Sequence, residues 1–331
     1  MKGKKVFGAI ITGLVLALSL ALLILTLCGV KFATYTLIGV VAHYIISTVL
    51  HELGHIIVAK RRNCEIVEWS ILGLGYSKLT KKFTYSIKGY AGNVSFISKN
   101  PDKAESDLLA VSASGIVATL IYLVICIVLG LIIFNFYSFS LLLTASYITV
   151  YMLVINAIAI TNDTDGAVFF GLKRGKIEYR ATENLAKIIS WLYNGKTPAE
   201  ISNGLYLYKD GLNGQAVEYY LMLAHLEKKE YALAFDIACE YSQDYPKQFL
   251  PEKLYLALLM KNNAVIEEIG ETALELLNPN SVTYFRISAL YRRYKGELDW
   301  ADICEKSALR ANEGQFIKGL NRLEEKLINQ N

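Results

Sequence analysis

Residues 32–59, FATYTLIGVVAHYIISTVLHELGHIIVA, carry one charged side chain, Glu52, and their reading decides the fold. A helix rises about 1.5 Å per residue and the hydrocarbon layer of a bilayer is about 30 Å thick, so roughly 20 apolar residues cross it. The stretch therefore predicts a spanning helix over 34–60 with a carboxylate inside it. Such a group costs on the order of 2.5–3.5 kcal/mol on insertion scales, and intramembrane ionisable residues mark functional sites.

Further apolar runs lie on either side. Residues 6–30 are uncharged and predict a helix near 7–28. Lys2, Lys4 and Lys5 precede that run as in a secretion signal, but it is too long for one and lacks a clear small-x-small cleavage site, so a retained anchor is expected. No charged residue separates Asp107 from Asp163. That is room for two crossings, near 108–134 and 140–162, with a break at 135–140. The 331 residues are 53% hydrophobic and 19% charged, with mean hydropathy +0.33, which excludes an ordinary soluble domain. Five cysteines without C-x-x-C spacing argue against a disulfide framework or cysteine zinc knuckle. A net charge of +4 is modest, no nucleic-acid motif is present, and no nucleic-acid partner is expected. With four crossings, Lys2, Lys4, Lys5, Lys60, Arg61, Arg62 and most other basic residues share one side and Lys31 stands on the other. The positive-inside bias then predicts a multi-pass protein of the cell membrane, with its N-terminus and C-terminal half cytoplasmic.

His51-Glu52-Leu53-Gly54-His55 has the H-E-x-x-H spacing. On a helix the two histidines differ by roughly 40° in azimuth and 6 Å in height, so both imidazoles can reach one tetrahedral zinc ion. Glu52 falls beside them as a candidate general base. A hydrolytic zinc site keeps three protein ligands, so one more donor is required. Asp165, in Asn162-Asp163-Thr164-Asp165-Gly166, follows the fourth predicted helix on the side of the histidines. Asp163 competes for that role, and the stretch also reads as a helix-ending turn. His43, about 12 Å further along the helix than His51, cannot share the ion and is expected to pack or line a pathway. His225 is expected on a helix surface.

This combination resembles the site-2 protease family of intramembrane zinc metalloproteases: H-E-x-x-H on one transmembrane helix, then, two passes later, an asparagine followed by Asp-Gly at a helix end. The resemblance covers roughly residues 35–170. It implies one catalytic Zn2+ held by His51, His55 and Asp165, with Glu52 as the catalytic base. The family's upstream asparagine corresponds to Asn156, and Gly115, in Ser114-Gly115-Ile116-Val117-Ala118, to a close-packing position. Family prolines between the asparagine and the Asp-Gly are missing here, as is the usual Gly-Pro of the intervening helix.

The expected fold is therefore dominated by α-helix: a polytopic bundle of about four transmembrane helices over 1–175, interrupted by a cytoplasmic β-like insertion at 63–106, and a helical domain over 176–331. Within the insertion, 83–87 and 94–98 alternate like strands, and an exposed edge there would suit an extended substrate. Helix pairs are drawn near 214–245, 251–278 and 281–312. Pro246 and Pro279 stand 33 residues apart, near the tetratricopeptide period, with Tyr231, Ala234, Ala301 and Ala308 at matching positions. A generic helical bundle fits the same pattern. The activity expected is hydrolysis of a membrane-embedded or membrane-associated protein or peptide, with the C-terminal domain binding a regulatory or substrate protein. The alternative is a membrane-anchored adaptor that keeps a protease-derived scaffold. A metal transporter fits less well, because the membrane half lacks a second ligand set.

Overall fold

A computed structural model of the chain describes residues 30–85, 92–133, 136–157 and 163–330. The helix expected over 7–28 lies outside them. The chain divides into two units: one ends at Ser98 and resumes over Ser106–Lys176, and the other holds Lys99–Glu105 and the residues from Ile177 onward.

In the first unit, α1 (Val30–Arg61) runs unbroken because the sequence offers no proline, and its charges other than Glu52 stand near its ends, at Lys31, Lys60 and Arg61. It stops at Asn63, whose left-handed conformation lets the Cys64 N–H reach the Ala59 carbonyl at 2.8 Å. The chain then forms a four-stranded antiparallel sheet of β1 (Glu65–Ile71), β2 (Leu74–Ser77), β3 (Lys82–Tyr85) and β4 (Gly92–Ile97), in the order β3-β2-β1-β4. The β1–β2 hairpin closes through Leu72 and Gly73, both at positive φ as a two-residue turn demands. The expected strands at 83–87 and 94–98 overlap β3 and β4, with 86 and 87 outside the described residues. The inner pair, β1 and β2, was not foreseen.

Helices α2 (Ala104–Ile132), α3 (Phe136–Ala157) and the short α4 (Asp165–Lys173) complete the unit. Ile38–Arg61 and Pro101–Ile132 are each long and apolar enough to cross a membrane, and α3 carries a shorter apolar stretch, Thr144–Ala157. Helix α3 starts four residues before the expected 140, because Phe136, Tyr137, Ser138 and Phe139 contain no helix breaker. Ile45, Leu53 and Ile57 on α1 and Val117, Ile121 and Val124 on α2 are exposed. So extensive an apolar surface suits lipid rather than water. The buried stripe of α1 is instead Ser47, Thr48, His51, Glu52, His55 and Ala59.

The second unit is helical throughout. After α5 (Arg180–Tyr193) come three antiparallel pairs: α6 (Gly214–Glu227) with α7 (Tyr231–Tyr241), α8 (Pro246–Leu259) with α9 (Asn263–Glu275), and α10 (Val282–Tyr294) with α11 (Leu298–Asn312). Helix α12 (Lys318–Ile328) follows. The second helices begin at spacings of 32 and 35 residues. Helix α8 starts at Pro246 rather than at 251, since a proline at the first helical position forfeits no hydrogen bond. Met222, Leu226, Phe249, Leu254, Tyr255 and Ile266 form the center of its main core. Lys99–Glu105, expected within the β-like insertion, is tied to this unit. Lys187 Nζ binds Glu105 at 3.2 Å and Glu183 at 2.6 Å, and Asn194 Nδ2 donates to the Lys99 carbonyl at 2.9 Å.

Candidate metal centre

Because α1 turns 100° per residue, His51 and His55 project from the same buried stripe, their rings 4.9 Å apart and nearly perpendicular. The third group arrives from α4. Thr164 caps that helix by accepting from the Ala167 N–H at 3.3 Å, which makes Asp165 its first residue rather than the end of the preceding turn. Gly166 has to be small. A Cβ there would stand 2.3 Å from the Ala157 carbonyl oxygen at the end of α3.

Asp165 Oδ2 consequently lies 2.8 Å from His51 Nε2 and 3.1 Å from His55 Nε2. The three ligand atoms fall within 4.8 Å of one another. Burial acts to raise the Asp165 carboxyl, and the two imidazoles more than reverse that effect, holding it below the usual carboxylate range. It is therefore an anion at neutral pH.

Two observations fit this cluster to a cation. His55 Nδ1 donates to the Val111 carbonyl at 2.7 Å, and a carbonyl can only accept. Whenever His55 is neutral, its Nε2 lone pair therefore faces the carboxylate oxygen, and a metal ion between them would satisfy both. Gly115 forms the floor of the cradle, where a Cβ would approach His55 Nε2 to 2.5 Å and His51 Nε2 to 2.6 Å. The close-packing role expected of Gly115 is thus directed at the imidazoles themselves. Gly54 brings the helices together, since a Cβ there would meet the Ser114 carbonyl oxygen at 2.7 Å.

Glu52 lies beside the cluster, 6% exposed, with Oε2 buried and without a hydrogen-bond partner among the described residues. The first residue of β4 covers it; a Cβ on Gly92 would stand 2.2 Å from Oε1. Where α1 ends and α2 begins, Asp107 accepts from Ser98 Oγ at 2.6 Å and Arg62 Nη1 at 3.3 Å, clamping α2 to the end of β4 and the end of α1.

Asp163 is not a member of the ligand cluster, and Asn156 lies half-buried in the last turn of α3. His43 hydrogen-bonds Tyr122, and His225 pairs with Glu230 at 2.6 Å at the end of α6. Sequence reasoning missed Val111, Ser114, Thr119 and Gly92. The available signal for two of them, Val111 and Thr119, was register: 111, 115 and 119 repeat every four residues on one face of α2, bracketing Gly115.

The profile of peptidase family M50 matches residues 38–271, most of the chain, and the chain belongs to that family, the site-2 protease family. Membership makes it a membrane metallopeptidase. No curated protein and no solved structure matches it.

Proposed function

We propose that this member of peptidase family M50 is a zinc endopeptidase that cuts membrane-embedded or membrane-associated protein substrates. The observation that carries the reading is the convergence of His51 Nε2, His55 Nε2 and Asp165 Oδ2 within 4.8 Å, beside a buried glutamate. His51, His55 and Asp165 would hold the ion. When bound there, zinc supplies Lewis acidity, polarising the scissile carbonyl and making water nucleophilic near neutral pH. Glu52, which is not in the ligand cluster, accepts a proton from the attacking water and returns it to the leaving amine. The buried surroundings keep its carboxylate from being solvated by bulk water, and Asp165 remains charged to balance the ion.

A peptide bond inside a helix is shielded by its own side chains, so the substrate must be extended. Strand β4 is an edge strand that begins over Glu52, and an unwound substrate pairing along it would run toward the cluster. In this reading the apolar helices, with those expected at 7–28 and 140–162, make a four-pass membrane protein whose N-terminus and second unit are cytoplasmic, as the lysine and arginine bias requires. The three helix pairs form a tetratricopeptide-like array that binds a regulatory or substrate protein. Their repeated spacing supports this.

Quantitative proteomics of membrane peptides, comparing cells carrying the native chain with cells carrying Glu52→Gln, tests the reading. Fragments present only with the native chain identify substrates. Identical fragment sets, with Glu52→Gln protein present at native levels, would sink the general-base assignment.

A further inference from the structure

Helix α2 supplies no atom to the ligand cluster, yet it touches the far side of both imidazoles. His51 Nδ1 lies 3.0 Å from Thr119 Oγ1, and Thr119 Oγ1 lies 2.9 Å from the Gly115 carbonyl oxygen, with the threonine 1% exposed. A hydroxyl has one proton, and the carbonyl can only accept. Both contacts are hydrogen bonds in one arrangement alone: Thr119 donates to Gly115, and His51 Nδ1–H donates to Thr119. In the reverse arrangement the threonine proton goes to His51 and the carbonyl contact is lost.

From this we infer that Thr119 is a positioning residue, selecting the Nδ1–H tautomer of His51 so that the Nε2 lone pair faces the metal position before any ion arrives. The inference deepens the zinc reading above and rests on it. Asp165 pulls the other way. Its Oδ2, 2.8 Å from Nε2, favours a proton on that nitrogen while no cation is bound, and the Thr119–Gly115 relay is the counterweight. His55 needs no such relay, because the Val111 carbonyl imposes the same tautomer directly. Two helical positions eight residues apart thereby orient ligands four residues apart on the antiparallel neighbour. Outer groups that fix a ligand histidine change metal affinity by about 10–100-fold.

The test uses the full-length protein in lipid nanodiscs with 15N-labelled histidine, zinc removed by chelator, at a pH of about 8, above the ordinary imidazole range. Four histidines give a spectrum simple enough to assign. In the native chain His51 should carry its proton on Nδ1. Thr119→Val, equal in shape but without the hydroxyl, should move it to Nε2 and weaken zinc binding by about 10–100-fold in chelator competition. Thr119→Ser should restore both. A native tautomer and native zinc affinity in Thr119→Val would overturn the inference, as would a Thr119→Ser protein as impaired as Thr119→Val, which would assign the effect to the methyl group. Failure of the native chain to bind zinc would strike the zinc reading itself, while the tautomer measured without metal still decides the role of Thr119.

Discussion

The His51–His55–Asp165 cluster of the first unit and the Arg286 cluster of the second both take ionisable groups out of water, and they differ in what faces what. Arg286 is fully buried between two carboxylates. Its Nε donates to Glu324 at 2.7 Å, its Nη2 to Glu252 at 3.0 Å, and its guanidinium stacks on the Tyr255 ring at 4.1 Å. Burial acts to lower the Arg286 guanidinium, and the two glutamates more than reverse that effect. Opposite charges meet: both carboxylates are answered by the guanidinium, of which Nη1 is left without a hydrogen-bond partner among the described residues. In the first unit, two imidazole nitrogens and a carboxylate oxygen converge on one point, a glycine leaves room between them, and Glu52 Oε2 has no partner among the described residues. Buried polar groups that satisfy one another hold a fold together, whereas buried groups aimed at a common point require something else to complete them.

That contrast can be broken most directly at Glu52. In the full chain, Glu52→Gln should lower single-turnover cleavage by about 10²–10⁴-fold, the range for a lost proton-transfer group, with zinc stoichiometry by elemental analysis unchanged. Loss of zinc in this variant would move Glu52 from base to ligand. Gly115→Ala should be nearly as severe for a different reason. Its methyl group would occupy space between the imidazoles, costing about 10²-fold or more in cleavage, as misplacement by an ångström does, and bound zinc should fall with it. The second unit should be untouched, which thermal melting of its helices checks.

Arg286→Met reverses the pattern. Removing one partner of a buried ionic cluster costs about 3–5 kcal/mol, so the second unit should melt at a clearly lower temperature while zinc stoichiometry in the first stays native. Replacing Arg286, Glu252 and Glu324 together by apolar residues of similar volume should recover much of that loss. The smallest effect is expected at the exposed Arg322–Glu200 pair, 3.0 Å apart. Arg322→Ala should cost about 0.2–1 kcal/mol, less at high salt, because water screens both groups.

Much of the site was legible because its chemistry is local in sequence. His51, Glu52 and His55 sit within five residues on a helix whose length and apolarity leave one orientation for them, and Asp165 is flagged by the glycine after it. The orienting groups were not legible. Val111 contributes a backbone carbonyl, which no side-chain pattern reports. Thr119 looks like any threonine bonding back within an apolar helix, and Gly92 matters only because of the strand that carries it over Glu52. The sheet was half read for a similar reason. Strands β3 and β4 alternate visibly, while Glu65–Ile71 becomes a strand through pairing with partners on both sides. The helix pairs of the second unit followed from their amphipathic spacing, and the start at Pro246 was misjudged because Pro251 also reads as a beginning.

The assignment of Lys99–Glu105 to the second unit has a practical consequence. The polypeptide passes between the units more than once, so severing it at Lys176 would not release an intact C-terminal half. A fragment beginning at Ile177 would lack the carboxylate that Lys187 grips and the carbonyl that Asn194 caps. Any binding assay on the isolated half therefore needs that short upstream peptide supplied in trans or grafted back.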